Sequence, residues 1–308
     1  MVFKKMLRAL GVGGPSVDTV LTDDRVRPGG LLTGEVRMTG GDADVDIDYV
    51  ALSLVARVEH GDDHTGATEF DRAVVAGRFT LRAGEAKSVP FQLPVPWEMP
   101  ISTIQGHHLH GMALGLRTEL AVARAVDKGD LDPVAVYPLP SQEAVLGAFA
   151  HMGFHFRTAD LEMGRIHGVH QHLPFYQEIE FHPPAHLART LSQVELTFVT
   201  DPHGITVVLE ADKRGGLFHA GGDVFGRFQV SHQEAEHTDW SALVSQWMDQ
   251  VAASRPTHFH GGGHHHPGHH GGPGMGGVVA GAAAGVVGGM VLGEVFDEIG
   301  DFFGGDED

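Results

Sequence analysis

The chain has 308 residues and a mass of 32.9 kDa, enough for two domains at roughly 150 residues each. It has no cysteine, which excludes structural disulfides, thiolate metal sites and a cysteine nucleophile, and fits a reducing compartment. With 40 acids against 21 bases, the net charge is -19 with neutral histidine; such a surface repels phosphate backbones, so nucleic acid is not an expected partner.

The N-terminal run MVFKKMLRALGVGG places Phe3, Met6, Leu7 and Leu10 on one helical face. Its apolar stretch is too broken for a signal-peptide core, so no secretion is expected. A short helix docked on the fold is the plainer reading, and a weak membrane-surface helix is the alternative. From Ser16 to Val136 the period becomes two. Leu32, Val36 and Met38 form one alternating set, and Val50, Leu52, Leu54, Ala56 and Val58 a second. Val75, Gly77, Phe79 and Leu81 make a third, and Val89, Phe91, Leu93 and Val95 a fourth. Each strand should bury one face and leave the other mostly wet, as Ser53 beside Leu52 and Leu54 illustrates. Turn signals at Pro28-Gly29-Gly30, Gly40-Gly41-Asp42 and Ala83-Gly84-Glu85 separate the strands with no helix between them. That pattern predicts an antiparallel β-sandwich over residues 1–137.

After Pro138 and Pro140, the segment SQEAVLGAFAHMGF reads as a helix. Ser141 is its expected N-cap, and Val145, Leu146, Phe149 and Met152 are its apolar face. Alternation returns at Phe175–Phe181, Val194–Val199, Ile205–Ala211 and Phe225–Val230. Trp240, Leu243, Val244, Trp247, Met248 and Val251 then give a closing amphipathic helix. The expected fold class is therefore mainly β, with a second sandwich domain over residues 138–255 carrying a linker helix and a closing helix.

Beyond Arg255 the composition changes. Residues 256–274 are a low-complexity His/Gly linker with too few apolar groups to bury. Residues 275–308 hold a glycine-rich segment and an acidic end. His258, His260, His264, His265, His266, His269 and His270 are the candidate metal ligands, suited to weak, adventitious Zn or Ni binding; a polar spacer is the rival reading. Gly277, Gly281, Gly285, Gly289 and Gly293 recur every fourth residue. On a helix they form a smooth ridge for self-association or membrane association, although glycine disfavours a helix in water. A disordered tail is the third reading.

Two smaller clusters, His107, His108 and His110, and His167, His170 and His172, read as loop surface. His151 and His155 stand near the end of the linker helix, where imidazolium suits the helix dipole. Asp42, Asp44, Asp46 and Asp48 alternate like a calcium loop but lack its glycine and its bidentate Glu, so a solvated strand face is expected. There is no GxSxG elbow, no HExxH and no phosphate loop, and no catalytic or cofactor-binding residue is assigned.

The runs PSVDTVLTDDRVRPGGLLTGEV, GRFTLRAGEAKSVPFQLPVPWEMP, GLRTELAVARAVDKGDLDPVAVYPLP and LPFYQEIEF carry a family likeness. In order and over about residues 1–251, they resemble the stage-zero sporulation-control protein M family, whose fold is similar to that of arrestins, with two β-sandwiches side by side. The resemblance implies a cytoplasmic, non-enzymatic regulator of sporulation or development that works through protein contacts. Edge strands and the interdomain groove are the expected docking surface. Two other readings compete with it: a membrane-linked adaptor anchored by the glycine-rich tail, and a metal-responsive protein sensing through the His tract.

Overall fold

The computed structural model describes residues 13–60, 65–125, 127–189, 191–213 and 226–253. The expected N-terminal helix around Phe3–Leu10 lies outside the described residues. The strands are β1 (Ser16–Leu21), β2 (Arg25–Val26), β3 (Leu31–Thr39), β4 (Val45–Glu59), β5 (Thr65–Ala76), β6 (Phe79–Leu81), β7 (Ala86–Pro94), β8 (Thr103–Ile104), β9 (His107–His108), β10 (Leu114–Val122), β11 (Lys128–Pro133) and β12 (Ala135–Val136) in the first half. The second half holds α1 (Pro140–His151), β13 (His155–Met163), β14 (Phe175–His182), β15 (Leu191–Thr200), β16 (Gly204–Lys213), β17 (Gly226–Ser231), α2 (His232–His237) and α3 (Trp240–Ala253). The fold is mainly β with several sheets, as the alternation requires.

In the first half, a three-stranded sheet ordered β1-β3-β7 faces the sheet centred on β4. Leu32, Val36 and Met38 from β3 share one core with Leu52, Leu54 and Leu116. The layers are also tied by a polar link, in which the Thr19 and Thr118 hydroxyls meet at 2.6 Å and Thr19 N donates to Asp130 at 2.7 Å.

One expectation fails on β4. Its second face is dry: Ala51 is 0% exposed, and Ser53 and Val55 are 1% exposed. The physical reason is a cover of long polar side chains from the neighbouring strands. Arg72 pairs with Glu119 at 2.8 Å, Arg117 pairs with Glu69 at 2.7 Å, and the Tyr49 hydroxyl donates to Glu119 at 2.7 Å. Period two located the strand, but burial on the second face comes from partners the strand's own pattern does not encode.

The second half is joined to the first through a continuous sheet. The ten-stranded sheet runs β11-β10-β4-β13-β14-β15-β16-β17, with β5 and β6 also paired to β4. The crossing is narrow, a single parallel pairing of Glu162 with Glu59. Among the described residues, the second half's strands all belong to this sheet, and helices supply the layer over its apolar face. Phe149 of α1 packs at a tilt against Phe181 with ring centroids 4.9 Å apart, Phe228 meets Trp240 at 6.1 Å, and Trp247 lies against Gly226. The closing helix buries Trp240, Val244, Trp247, Met248 and Val251, the face expected from its spacing. One hydrophobic cluster includes residues of both halves. Among the described residues, no helix is long and apolar enough to cross a membrane.

The linker helix is capped two residues earlier than its sequence suggests, at Leu139. Pro140 occupies the first helical position, where its fixed φ is pre-organised and its missing N–H is not needed. Ser141 is therefore inside the helix and not the cap; its hydroxyl meets His232 Nδ1 at 2.8 Å. The Gln142 side chain instead reaches back to accept from Leu139 N at 2.8 Å.

The halves are locked where the segment after β7 meets β14. Gln177 is buried, and its side-chain amide pairs both ways with the Ile101 backbone. Oε1 accepts from Ile101 N at 3.0 Å, and Nε2 donates to Ile101 O at 2.7 Å. Glu98 accepts from the backbone N–H groups of His172 and Leu173 at 2.7–2.8 Å. The Thr200 hydroxyl donates to Trp97 O, and Trp97 stacks on His232 at 5.6 Å. Gly111 has φ +95°, and a Cβ there would lie 2.0 Å from Ala159 O, so only glycine lets β13 come this close.

Two stability experiments follow. Gln177→Leu keeps the volume but leaves Ile101 N and O buried and unpaired, so urea unfolding should show a loss of about 2–4 kcal/mol. Gln229→Leu on the exposed side of β17 is the control and should stay within about 0.5 kcal/mol. Leu54→Ala should cost about 2–5 kcal/mol. Ser53→Ala should be neutral or slightly stabilising, because the buried Ser53 hydroxyl has no hydrogen-bond partner.

Candidate functional site

Side chains along β14 alternate between the two faces of the sheet. Phe175, Gln177, Ile179 and Phe181 are buried under the helices, while Tyr176, Glu178 and Glu180 point to the other side. Strand register decides what joins them. Asp160 pairs with Glu178, Glu162 with Tyr176, Glu180 with Glu195, Glu195 with Glu210, and Val208 with Arg227. Cross-strand partners share a face. Six carboxylates from four strands therefore stand together on the face away from the helices: Asp160, Glu162, Glu178, Glu180, Glu195 and Glu210.

The segment 164–174 between β13 and β14 folds over this face. Gln171 is its internal brace, with Nε2 donating to Gly164 O at 3.0 Å and to Leu173 O and Phe175 O at 2.8 Å. Arg227 Nη1 donates to Gly168 O at 2.7 Å and ties the segment to β17. Beneath it lies a cavity of about 540 Å³ lined by Ile166, Val169, Tyr176, Glu178, Thr197 and Val208, with Arg165, His167, Glu195, Glu210 and Arg227 completing the wall. A second groove of about 540 Å³ lies on the β4 side of β13, between Arg57, Glu59 and Thr65–Ala67 on one side and Thr158–Leu161 on the other. Asp160 lines that groove, and its cross-strand partner Glu178 lines the cavity.

Burial and mutual repulsion dominate the charge state here. Burial first, then the charges of Glu195, Asp160, Glu162 and Glu210, push Glu178 up to about 8. Burial, then Glu59, Glu180, Glu162 and Glu195, push Asp160 up to about 7. Asp160 Oδ1 has no accessible surface and no hydrogen-bond partner. Tyr176 is held above its ordinary value by burial and by Glu178. Glu119, on the first half's outer face, is the contrast. Burial opposes its charge, but the Tyr49 hydroxyl and the Arg72 guanidinium outweigh burial and hold its carboxyl below the ordinary value.

One carboxylate oxygen from each of Asp160, Glu162 and Glu178 lies within 4.8 Å of the others, the one group of three such ligands among the described residues. An all-oxygen set suits a hard cation such as Ca²⁺, which takes 6–8 oxygens, so these three would supply at most part of a shell. The set lacks the imidazoles that Zn or Ni prefer.

The histidine clusters do not converge. His107 and His108 form β9, where His108 Nε2 meets Met112 O at 2.9 Å; burial holds the His108 ring below its ordinary value. His170 and His172 touch edge to face at 4.7 Å in the segment 164–174. His151 is in the last turn of α1. The four aspartates occupy a turn and strand face: Asp44 accepts from Ala83 N, Asp46 from the Thr80 hydroxyl, and Asp48 pairs with Arg78. The tail ligands His258, His260, His264, His265, His266, His269 and His270 lie outside the described residues, as does the ridge Gly277, Gly281, Gly285, Gly289 and Gly293. The carboxylate face was missed by motif reading. Its sequence trace is the alternation of acids in DLE at 160–162 and EIE at 178–180, which acquires meaning only once strand register is known.

The raised carboxylates fix the sign of a pH effect. Folded Glu178 and Asp160 bind protons more tightly than the unfolded chain, so their contribution is greatest below about pH 4 and is lost as pH rises through about 7–8. Asp132, pushed up to about 7 by burial and then by Asp130 and Asp18, adds to the same slope. In urea titrations, Glu178→Gln should flatten the fall in stability between pH 5 and 8.5. At pH 8.5 it should stabilise the fold by on the order of 1–3 kcal/mol.

With this geometry in place, comparison with known proteins supplies the family. The family model described as SpoOM protein matches residues 3–215. A sporulation-control protein, Spo0M of Bacillus subtilis (strain 168), is 30% identical over 262 residues, covering 81% of this chain and 98% of that protein. The crystal structure of Spo0M from Bacillus subtilis superposes with a TM-score of 0.67 at 29% identity, covering 78% of this chain and 99% of that one. The chain belongs to the Spo0M family of sporulation-control proteins, and a regulatory role in sporulation is what that membership supports.

Proposed function

We propose that the chain is a non-enzymatic, cytoplasmic regulator that acts on sporulation through protein contacts, with the carboxylate-bearing face of the shared sheet as its docking surface. The observation that carries this reading is the placement of Asp160, Glu162, Glu178, Glu180, Glu195 and Glu210 on one face, with a cavity and a groove on either side of β13. A surface of that sign steers a basic partner segment and rejects acidic ones. Concave recesses beside it give side chains somewhere to anchor, which a flat charged sheet does not. The linker helix and closing helix cover the opposite face, so the carboxylate face, roofed in part by residues 164–174, is the side this half of the sheet turns away from the helices.

Charge reversal tests the reading. A strain lacking the gene would be complemented with wild type, with Glu180→Lys/Glu195→Lys, or with Asp23→Lys/Glu35→Lys, two solvent-accessible acids of the first half. The first double variant should leave sporulation frequency at the level of the deletion strain, with protein abundance and circular dichroism unchanged. The second should restore it. Equal restoration by both would overturn the docking assignment.

A further inference from the structure

We propose that the cavity beneath residues 164–174 receives a single alkyl-guanidinium or alkyl-ammonium group, presented as an Arg or Lys side chain of the docking partner. The proposal deepens the docking reading and rests on it for the source of the cation. The first argument is the cavity itself. At about 540 Å³ it falls in the range of small-ligand sites, and Gln171 and Arg227 hold its roof in place by hydrogen bonds. Its walls then select the ligand. Ile166, Val169 and Val208 offer apolar contact to a methylene stem, and the aromatic Tyr176 lines the cavity beside them.

The acids of the lining, Glu178 with Glu195 and Glu210, supply the counter-charge. Glu178 forms no ion pair with any cation among the described residues, and the charges acting on it are those of other acids. It shares a hydrogen bond with Tyr176. Behind it, Asp160 Oδ1 is sealed without a partner. An entering cation would offset repulsion that the folded chain otherwise carries. Arg165 and Arg227 already serve carbonyls of the roofing segment, and as neighbours they oppose a second positive group. The cavity is therefore suited to one cation on an apolar stem, not to a polyamine or a bare metal ion.

The test uses the full chain at pH 7 and isothermal titration calorimetry. The probes are n-butylguanidinium, its neutral isostere n-butylurea, and the peptide acetyl-Ala-Ala-Arg-Ala-Ala-amide. The guanidinium and the peptide should bind, and the urea at least tenfold more weakly. Glu178→Gln, isosteric with the protonated group, should fold and weaken both cationic probes at least tenfold. Val208→Trp should block the cavity. Because a cation ionises Glu178, binding should release a proton, seen as a heat that depends on the ionisation enthalpy of the buffer. Wild-type proton release, abolished in Glu178→Gln, decides the matter even if Val208→Trp folds poorly.

No binding by either cationic probe overturns the proposal, as does equal binding of n-butylurea or an unchanged Glu178→Gln. Displacement of the guanidinium by equimolar calcium chloride overturns it in favour of a metal site. Tighter binding of the peptide than of n-butylguanidinium supports a partner side chain as the source, whereas the reverse order overturns that source in favour of a free amine. The docking reading stands or falls separately, because the charge-reversal result in cells does not depend on whether either cationic probe binds the isolated chain, although Glu195 belongs to both the face and the cavity wall.

Discussion

The amide of Gln177 holds the two halves of this protein in one arrangement. Strand β14 presents that amide on its apolar face, where a polar group is tolerated only if it is fully paired. Ile101 supplies both partners from the first half. Glu98 satisfies two backbone N–H groups of the roofing segment from the same stretch of chain, so the loop after β7 organises β14 and the roof together. Gly111 then admits Ala159 at close range. These contacts seat β13 beside β4 with, among the described residues, one strand pairing between the halves. The groove on the β4 side of β13 exists because the two strands meet at one point and part elsewhere.

Buried and half-buried carboxylates are handled in two ways. On the first half's outer face, Glu119 is ringed by Tyr49 and Arg72, and that network seals β4 from water. On the second half, Glu178 and Asp160 sit among other acids, where burial favours the neutral form. The first arrangement adds structure: removing Arg72 would expose β4 and strand a carboxylate. The second subtracts from stability at neutral and higher pH. A face that lowers the stability of its own fold is where a function-bearing surface is to be sought, because optimised packing alone would not retain it.

The sequence made some of these elements legible and hid others, for identifiable reasons. The closing helix was readable because Trp240, Val244, Trp247, Met248 and Val251 recur at helical spacing with polar residues between them. Strands β14 to β17 were readable from strict alternation. Strand β13, HFRTADLEM, was not: its buried residues are only Ala159 and Leu161, too small a set to stand out between charged neighbours. Helix α2, at six residues, is too short to show a period; it starts at a Ser231–Glu234 capping box rather than at an apolar stripe. The dry second face of β4 was hidden because its cover comes from residues about 20 and 65 positions away. For the same reason the carboxylate face was invisible: Asp160, Glu178, Glu195 and Glu210 are far apart in sequence and adjacent only through register.

The charge total gains meaning from this placement. A net charge of -19 spread evenly would act mainly on solubility. Here acids from β13, β14, β15 and β16 converge on one sheet face, while Arg157 pairs with Glu180 at its margin. Repulsion on that face opposes folding, so the face is more stable with a cation near it than without one. By linkage, any cation bound there preferentially stabilises the native chain, and raising the pH increases the benefit until Glu178 has ionised. The same physics sets a limit on the partner. A long basic segment would gain from the carboxylates along the strands but meet Arg165 and Arg227 in the cavity wall. Discrimination therefore follows from where each charge stands more than from the net charge. A single well-placed basic residue on an apolar stem satisfies the geometry better than a run of lysines.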